Sequence, residues 1–111
     1  MNYIGQSKLK LYEDISCTKE VEQDISGMYK INIKCITGQP SHIFEKVLYV
    51  KNVGTHTAYN ISIDNAEGSF EIPNTELKSR KVCYLKVKCN VIKGDKEEKI
   101  LTARLDYTNL P

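Results

Sequence analysis

Apolar and polar residues alternate with a period of two in at least four stretches of this chain, and no stretch holds a helical period over three turns. In residues 28–37, Tyr29, Ile31, Ile33 and Cys35 alternate with Lys30, Asn32 and Lys34, which turns one side of a strand to a core and the other to water. Thr37, Gly38, Pro40 and Ser41 break that run, and residues 45–52 follow with the nearly continuous apolar block Val47, Leu48, Tyr49 and Val50, suited to a central strand. Beyond Gly54, Tyr59, Ile61 and Ile63 alternate with Asn60, Ser62 and Asp64. A turn at residues 65–68 precedes a short strand over 69–72, closed by Pro73 and Asn74.

The clearest alternation lies in residues 82–91, where Cys83, Leu85, Val87, Cys89 and Val91 share one face and Tyr84, Lys86, Lys88 and Asn90 the other. Lys93, Gly94, Asp95 and Lys96 read as a polar hairpin connection. Residues 99–107 follow with Leu101, Ala103, Leu105 and Tyr107 inward, and the two strands are expected to pair antiparallel. Residues 8–21 read two ways: Leu9, Leu11, Ile15 and Cys17 suit an edge strand, whereas residues 17–25 also fit a helical turn or two, and the edge strand is the preferred reading. About seven short, evenly spaced strands with no strong helix predict an all-β, immunoglobulin-like antiparallel β-sandwich in a single domain over residues 1–111, with 1–26 as an edge region.

A chain of 111 residues can bury a core without metal or disulfide staples. Sixteen basic against fourteen acidic residues give a net charge of +2, a mixture that exerts no global pull toward nucleic acid or an anionic membrane. No apolar run approaches the ~18 residues of a membrane span, and residues 1–6 lack the basic region and apolar block of a secretory signal. The setting is therefore read as intracellular, or as a domain excised from a longer exported chain. Cys17, Cys35, Cys83 and Cys89 lack the spacing of a zinc site. Cys83 and Cys89 lie about 20 Å apart along one strand, beyond the ~7 Å that a disulfide spans, so they are expected not to bond each other. Cys35 with either of them is left open, and the simplest reading makes all four small buried hydrophobes.

Two β-type runs flank the segment from Asn52 to Asn60, and the whole reads as one hairpin-like unit in which Gly54 is expected to adopt a positive φ. In the positions Asn52, Gly54, Thr57, Ala58, Asn60 and Ile61 the chain resembles the conserved-repeat and cell-adhesion-related domains of bacterial and archaeal surface proteins, and the likeness extends more weakly to residues 103–107. The resemblance implies an immunoglobulin-like sandwich acting as a non-enzymatic structural or adhesion module in a cell-surface or envelope setting. Asn52, Gly54, Ala58 and Asn60 are taken as its structural motif.

Nothing else in the chain carries distinctive chemistry. Neither Cys nor Ser lies in a nucleophile motif, and His42 and His56 read as loop residues. Asp64, Glu67 and Glu71 could be imagined as a glycosidase pair, and Asp64, Asn65 and Glu67 as a calcium loop, but acidic residues beside turn glycines are ordinary turn chemistry. Lys78, Arg80 and Lys81 cluster, with Lys86 and Lys88 following on one strand and Lys30 and Lys34 on another. In an immunoglobulin-like order those strands belong to opposite sheets, which argues against one nucleic-acid groove. Of seven tyrosines, Tyr29, Tyr59 and Tyr107 fall at inward positions, while Tyr3, Tyr12 and Tyr84 are free to meet a partner. Asn60 and Ser62 also match a glycosylation acceptor. The expectation is a module that takes a protein partner or neighbouring domains, with no catalytic residue, cofactor, metal or nucleic acid and no membrane insertion, as a monomer or weak homo-oligomer. The alternatives are an intracellular or virion assembly subunit acting through edge strands, and, ranked last because outward aromatics are few, a carbohydrate-binding module.

Overall fold

The structure is a computed structural model that describes residues 5–34, 42–64, 69–91 and 98–111. It is all-β. Seven strands run through the described residues: β1 (Leu9–Tyr12), β2 (Tyr29–Lys34), β3 (His42–Asn52), β4 (Tyr59–Asp64), β5 (Ser69–Glu71), β6 (Val82–Val91) and β7 (Glu98–Thr108). They form two antiparallel sheets, one of four strands in the order β1-β3-β6-β5 and one of three in the order β2-β7-β4. The two-residue period explains the layering. Leu11, Leu48, Val50, Leu85 and Val87 from the first sheet and Ile31, Ile61 and Leu101 from the second are buried in one core between the sheets.

Two pairings expected from adjacency are not formed. Residues 82–91 and 99–107 do not make a hairpin: β6 pairs with β3 and β5, while β7 pairs with β2 and β4. Nor is the segment around Gly54 a hairpin, because β3 pairs with β1 and β6, and β4 lies in the other sheet. In both cases two half-buried strands bury their apolar faces against each other across the core from different sheets, and the connection after β3 is an arch from sheet to sheet. Alternation marks which face is buried and is silent on whether the next strand lies beside or opposite. The connection containing Gly94 lies outside the described residues, as do Tyr3, Cys35, Asn65 and Glu67.

Residues 13–24 contain no helix and are not a continuation of β1. The Asp14 carboxylate accepts the backbone N–H groups of Thr18 at 3.0 Å and Lys19 at 2.9 Å, and also the Thr18 hydroxyl, closing a turn in which Cys17 takes a φ of 55°. Ile15, expected on a strand, is exposed in that turn. The chain then returns along β1, where Val21 N–H donates to the Leu11 carbonyl at 2.9 Å, and moves on to β2, where Lys30 N–H donates to the Glu22 carbonyl at 2.8 Å. One short segment thus lines edges of both sheets. On the opposite side, Ala58 and Leu77 exchange backbone hydrogen bonds at 2.9 Å, and Ile61 N–H donates to Thr75, so residues 75–77 line part of the β4 edge.

Candidate functional site

Inward positions on β3 are the even-numbered ones, and the period carries that face through Leu48 and Val50 to Asn52. A polar side chain is thereby delivered to the core, where an unpaired amide is costly. Asn52 is fully buried, and both ends of its amide are occupied. Its Oδ1 accepts from Gly54 N–H at 2.9 Å and Lys8 N–H at 3.3 Å. Its Nδ2 donates to the carbonyls of His56 and Leu77, each at 2.8 Å. The Asn52 backbone joins in too, with its N–H on the Lys81 carbonyl at 3.0 Å and its carbonyl receiving Arg80 N–H at 2.8 Å. One residue therefore holds the start of β1, the arch after β3 and the segment leading into β6.

Each other member of the motif has a separate structural task. Gly54 does not need a positive φ: among the described glycines only Gly27, at 92°, takes one. What Gly54 needs is space. A Cβ there would strike the Gln6 carbonyl oxygen and lie 2.6 Å from Lys8 N, because the chain before β1 runs directly over the arch. That crossing is closed by Thr55 N–H on the Gln6 carbonyl at 2.9 Å and by the Ser79 hydroxyl on the Gly54 carbonyl at 2.5 Å. Ala58 is fully buried where the arch meets Leu77. Asn60 is the residue with positive φ, 53°, and sits where the β4 to β7 register shifts between Tyr59 and Ser62. Asparagine tolerates that conformation. Its exposed amide donates to the Thr108 hydroxyl at 3.1 Å.

The remaining candidates are scattered. His56 is exposed, and it is its carbonyl that Asn52 engages; His42 opens β3. Asp64 and Glu71 are exposed in opposite sheets, with Asp64 opposite Arg104. Among the described residues, no group of three or more His, Cys, Asp or Glu side chains gathers as a metal site would require, and no helix is long and apolar enough to cross a membrane. Cys17 and Cys83 are free thiols, so Cys83 is not bonded to Cys89, and burial pushes the Cys83 thiol up to about 11. Lys30 and Lys34 lie on β2 and Lys86 and Lys88 on β6, in different sheets as expected.

A cleft of about 500 Å³ opens between the sheets and is lined by Glu13, Lys19, Asn32, Phe44 and Lys46. Lys46 stands at an inward position near the end of the sandwich. It extends its amine to the Asn32 carbonyl at 2.8 Å and the Glu13 carboxylate at 3.1 Å, which ties the sheets together.

The outward face of the four-stranded sheet holds what the sequence reading missed. Tyr49 stands directly opposite Tyr12 on one side and Tyr84 on the other, so three tyrosines form a row across β1, β3 and β6. Val47 and Val82 are exposed beside them. In the sequence Tyr49 falls within the continuous apolar block of residues 47–50. The signal that separates it is the strict alternation of buried Leu48 and Val50 around it. By contrast, the outward face of the other sheet carries Lys30, Asn32, Ser62, Asp64 and Arg104, with Ile100 as its exposed apolar member.

These features define a small antiparallel β-sandwich whose conspicuous motif is a clasp at an inter-sheet arch. Compared with protein-family models, curated proteins and solved structures, the chain finds no match.

Proposed function

We propose that this domain is a non-enzymatic structural or interaction module of a cell-surface or envelope protein, similar to the conserved-repeat and cell-adhesion-related domains. The observation that supports this reading is the use made of Asn52, Gly54, Ala58 and Asn60. Asn52, Gly54 and Ala58 are engaged where chain segments meet at the arch, and Asn60 sits at the β4 to β7 register shift just after it, as members of a shared architectural signature would be. The immunoglobulin-like affiliation belongs to the same proposal.

Assembly through edge strands is the less favoured reading. Residues 19–21 occupy part of the free edge of β1, and residues 75–77 part of that of β4. The setting is tested by treating intact source cells with a protease that does not enter them and following the protein with an antibody. Loss of the protein from intact cells is expected. Full protection until the cells are lysed contradicts the surface assignment.

A further inference from the structure

On the outward face of the four-stranded sheet, the register fixes an order along the strand direction. At one end, Lys10 lies opposite Lys51, with Val82 next in the row. Two positions on comes the row Tyr12, Tyr49, Tyr84. Beyond it lie Val47 opposite Lys86, and then Glu45 opposite Lys88. The face is therefore basic at one end and aromatic in the middle, and its far end carries Lys86 and Lys88 together with Glu45 and, on β5, Glu71 opposite Lys86. From the Val82 row to the Lys88 row is ~20 Å, the length of about six extended residues.

Around this face Lys10, Lys51, Lys81, Lys86 and Lys88 outnumber Glu20, Glu45 and Glu71. Lys10 reaches Glu20 at 3.8 Å and Lys86 reaches Glu45 at 3.7 Å, whereas Lys51 and Lys88 form no ion pair among the described residues. Like charges placed directly opposite on neighbouring strands repel, and Lys10 with Lys51 is such a pair. Lys81, exposed just before Val82, adds to the same end. The excess of lysine thus selects an acidic partner by charge complementarity, and the tyrosine row between Lys51 and Lys88 selects apolar side chains at its centre.

From this the geometry points to a docking surface for an extended acidic protein segment, with apolar or aromatic residues over Tyr12, Tyr49 and Tyr84 and carboxylates at Lys51 and Lys88 on either side. The assignment rests on the interaction-module reading and names its partner class. Single-stranded nucleic acid fits less well. It binds sheet faces by stacking bases on open rings, and the Lys86 ammonium already stands 6.0 Å from the centre of the Tyr84 ring.

The test is fluorescence anisotropy on the whole chain. The probe is a labelled short peptide with leucine and tyrosine in the middle and glutamates at both ends. The same peptide with lysines at its ends and a labelled oligothymidylate serve as comparisons. Saturable binding of the acidic peptide is expected, weakening as salt rises. Lys51→Gln, Lys88→Gln and Tyr84→Ser are each expected to weaken it about tenfold or more, a loss of ~1.4 kcal/mol, without moving the denaturant midpoint. The proposal is overturned if the acidic peptide does not bind, if these variants bind it as the parent does, or if the lysine-ended peptide or the oligothymidylate binds as tightly. Any of those results combined with surface exposure on intact cells removes the docking assignment and leaves the module reading standing.

Discussion

The side-chain amide of Asn52 donates to the backbone carbonyl of Leu77 at 2.8 Å, joining residues 25 positions apart at the point where the chain passes from one sheet to the other. The same amide nitrogen holds the His56 carbonyl, and its oxygen holds the N–H groups of Lys8 and Gly54. An arch leaves backbone groups without ladder partners, and here one buried side chain supplies the missing bond to three of them and a second bond to the Leu77 carbonyl, which also accepts Ala58 N–H.

Gly54 and Gly27 separate crowding from backbone strain. Gly54→Ala puts a methyl group into the backbone of residues 6–8. It is expected to lower stability by about 2 kcal/mol or more, although alanine in an ordinary conformation would stabilise slightly. At Gly27 the nearest atom to a Cβ is the flexible end of Gln23 at 3.8 Å, but φ is 92°. Gly27→Ala should lose about 1 kcal/mol from the backbone alone. Urea melts of the two variants check the order; Gly54→Ala melting at or above the parent would remove the crowding argument.

Asn60 reverses the usual rule for strands. Its positive φ makes Asn60→Gly nearly neutral, within about 0.5 kcal/mol, whereas Asn60→Val should lose about 2 kcal/mol because a β-branched side chain resists that conformation. Thermal melts distinguish them. Equal melting temperatures for the two variants would show that the conformation at this position is not enforced.

Burial pushes the Tyr29 phenol from 10.0 up to about 12, against the opposing effect of a backbone hydrogen bond at Leu11. A folded-state value raised above the unfolded one means that the stabilisation is complete below pH ~10 and is lost as pH rises toward 12. Across that window Tyr29 alone should account for a loss on the order of 1–2 kcal/mol once solvent screening is allowed for. Tyr29→Phe, which cannot ionise, is expected to show a shallower decline between pH 10 and 12 in parallel denaturant titrations. Identical slopes for parent and variant would mean that this phenol ionises as readily in the fold as in the open chain.

Strand positions and inward faces were legible from alternation, because side-chain period is a local property of extended backbone, whereas the separation of β2 from β6 into different sheets followed only from the expected immunoglobulin-like order. Partnering was not. Both expected hairpins, around Gly54 and after β6, are passages between sheets, and neither period nor turn composition distinguishes an arch from a hairpin. Gly54 was legible as special, though for a φ it does not take; its reason lies in residues 6–8, far away in sequence. The tyrosine row shows the same limit. Tyr12, Tyr49 and Tyr84 belong to three strands and become neighbours only through register.

The clasp is tested most directly by equilibrium denaturation of Asn52→Ala beside His56→Ala. Removing the amide takes partners from the Lys8 and Gly54 N–H groups and the His56 carbonyl, while the Leu77 carbonyl keeps its bond from Ala58 N–H, so Asn52→Ala should lose about 3 kcal/mol or more. His56→Ala, which alters an exposed side chain and keeps the carbonyl that Asn52 engages, should stay within about 0.5 kcal/mol of the parent. Asn52→Ala unfolding at the parental midpoint, or both variants losing stability equally, would contradict the role of Asn52 as the residue that holds the arch.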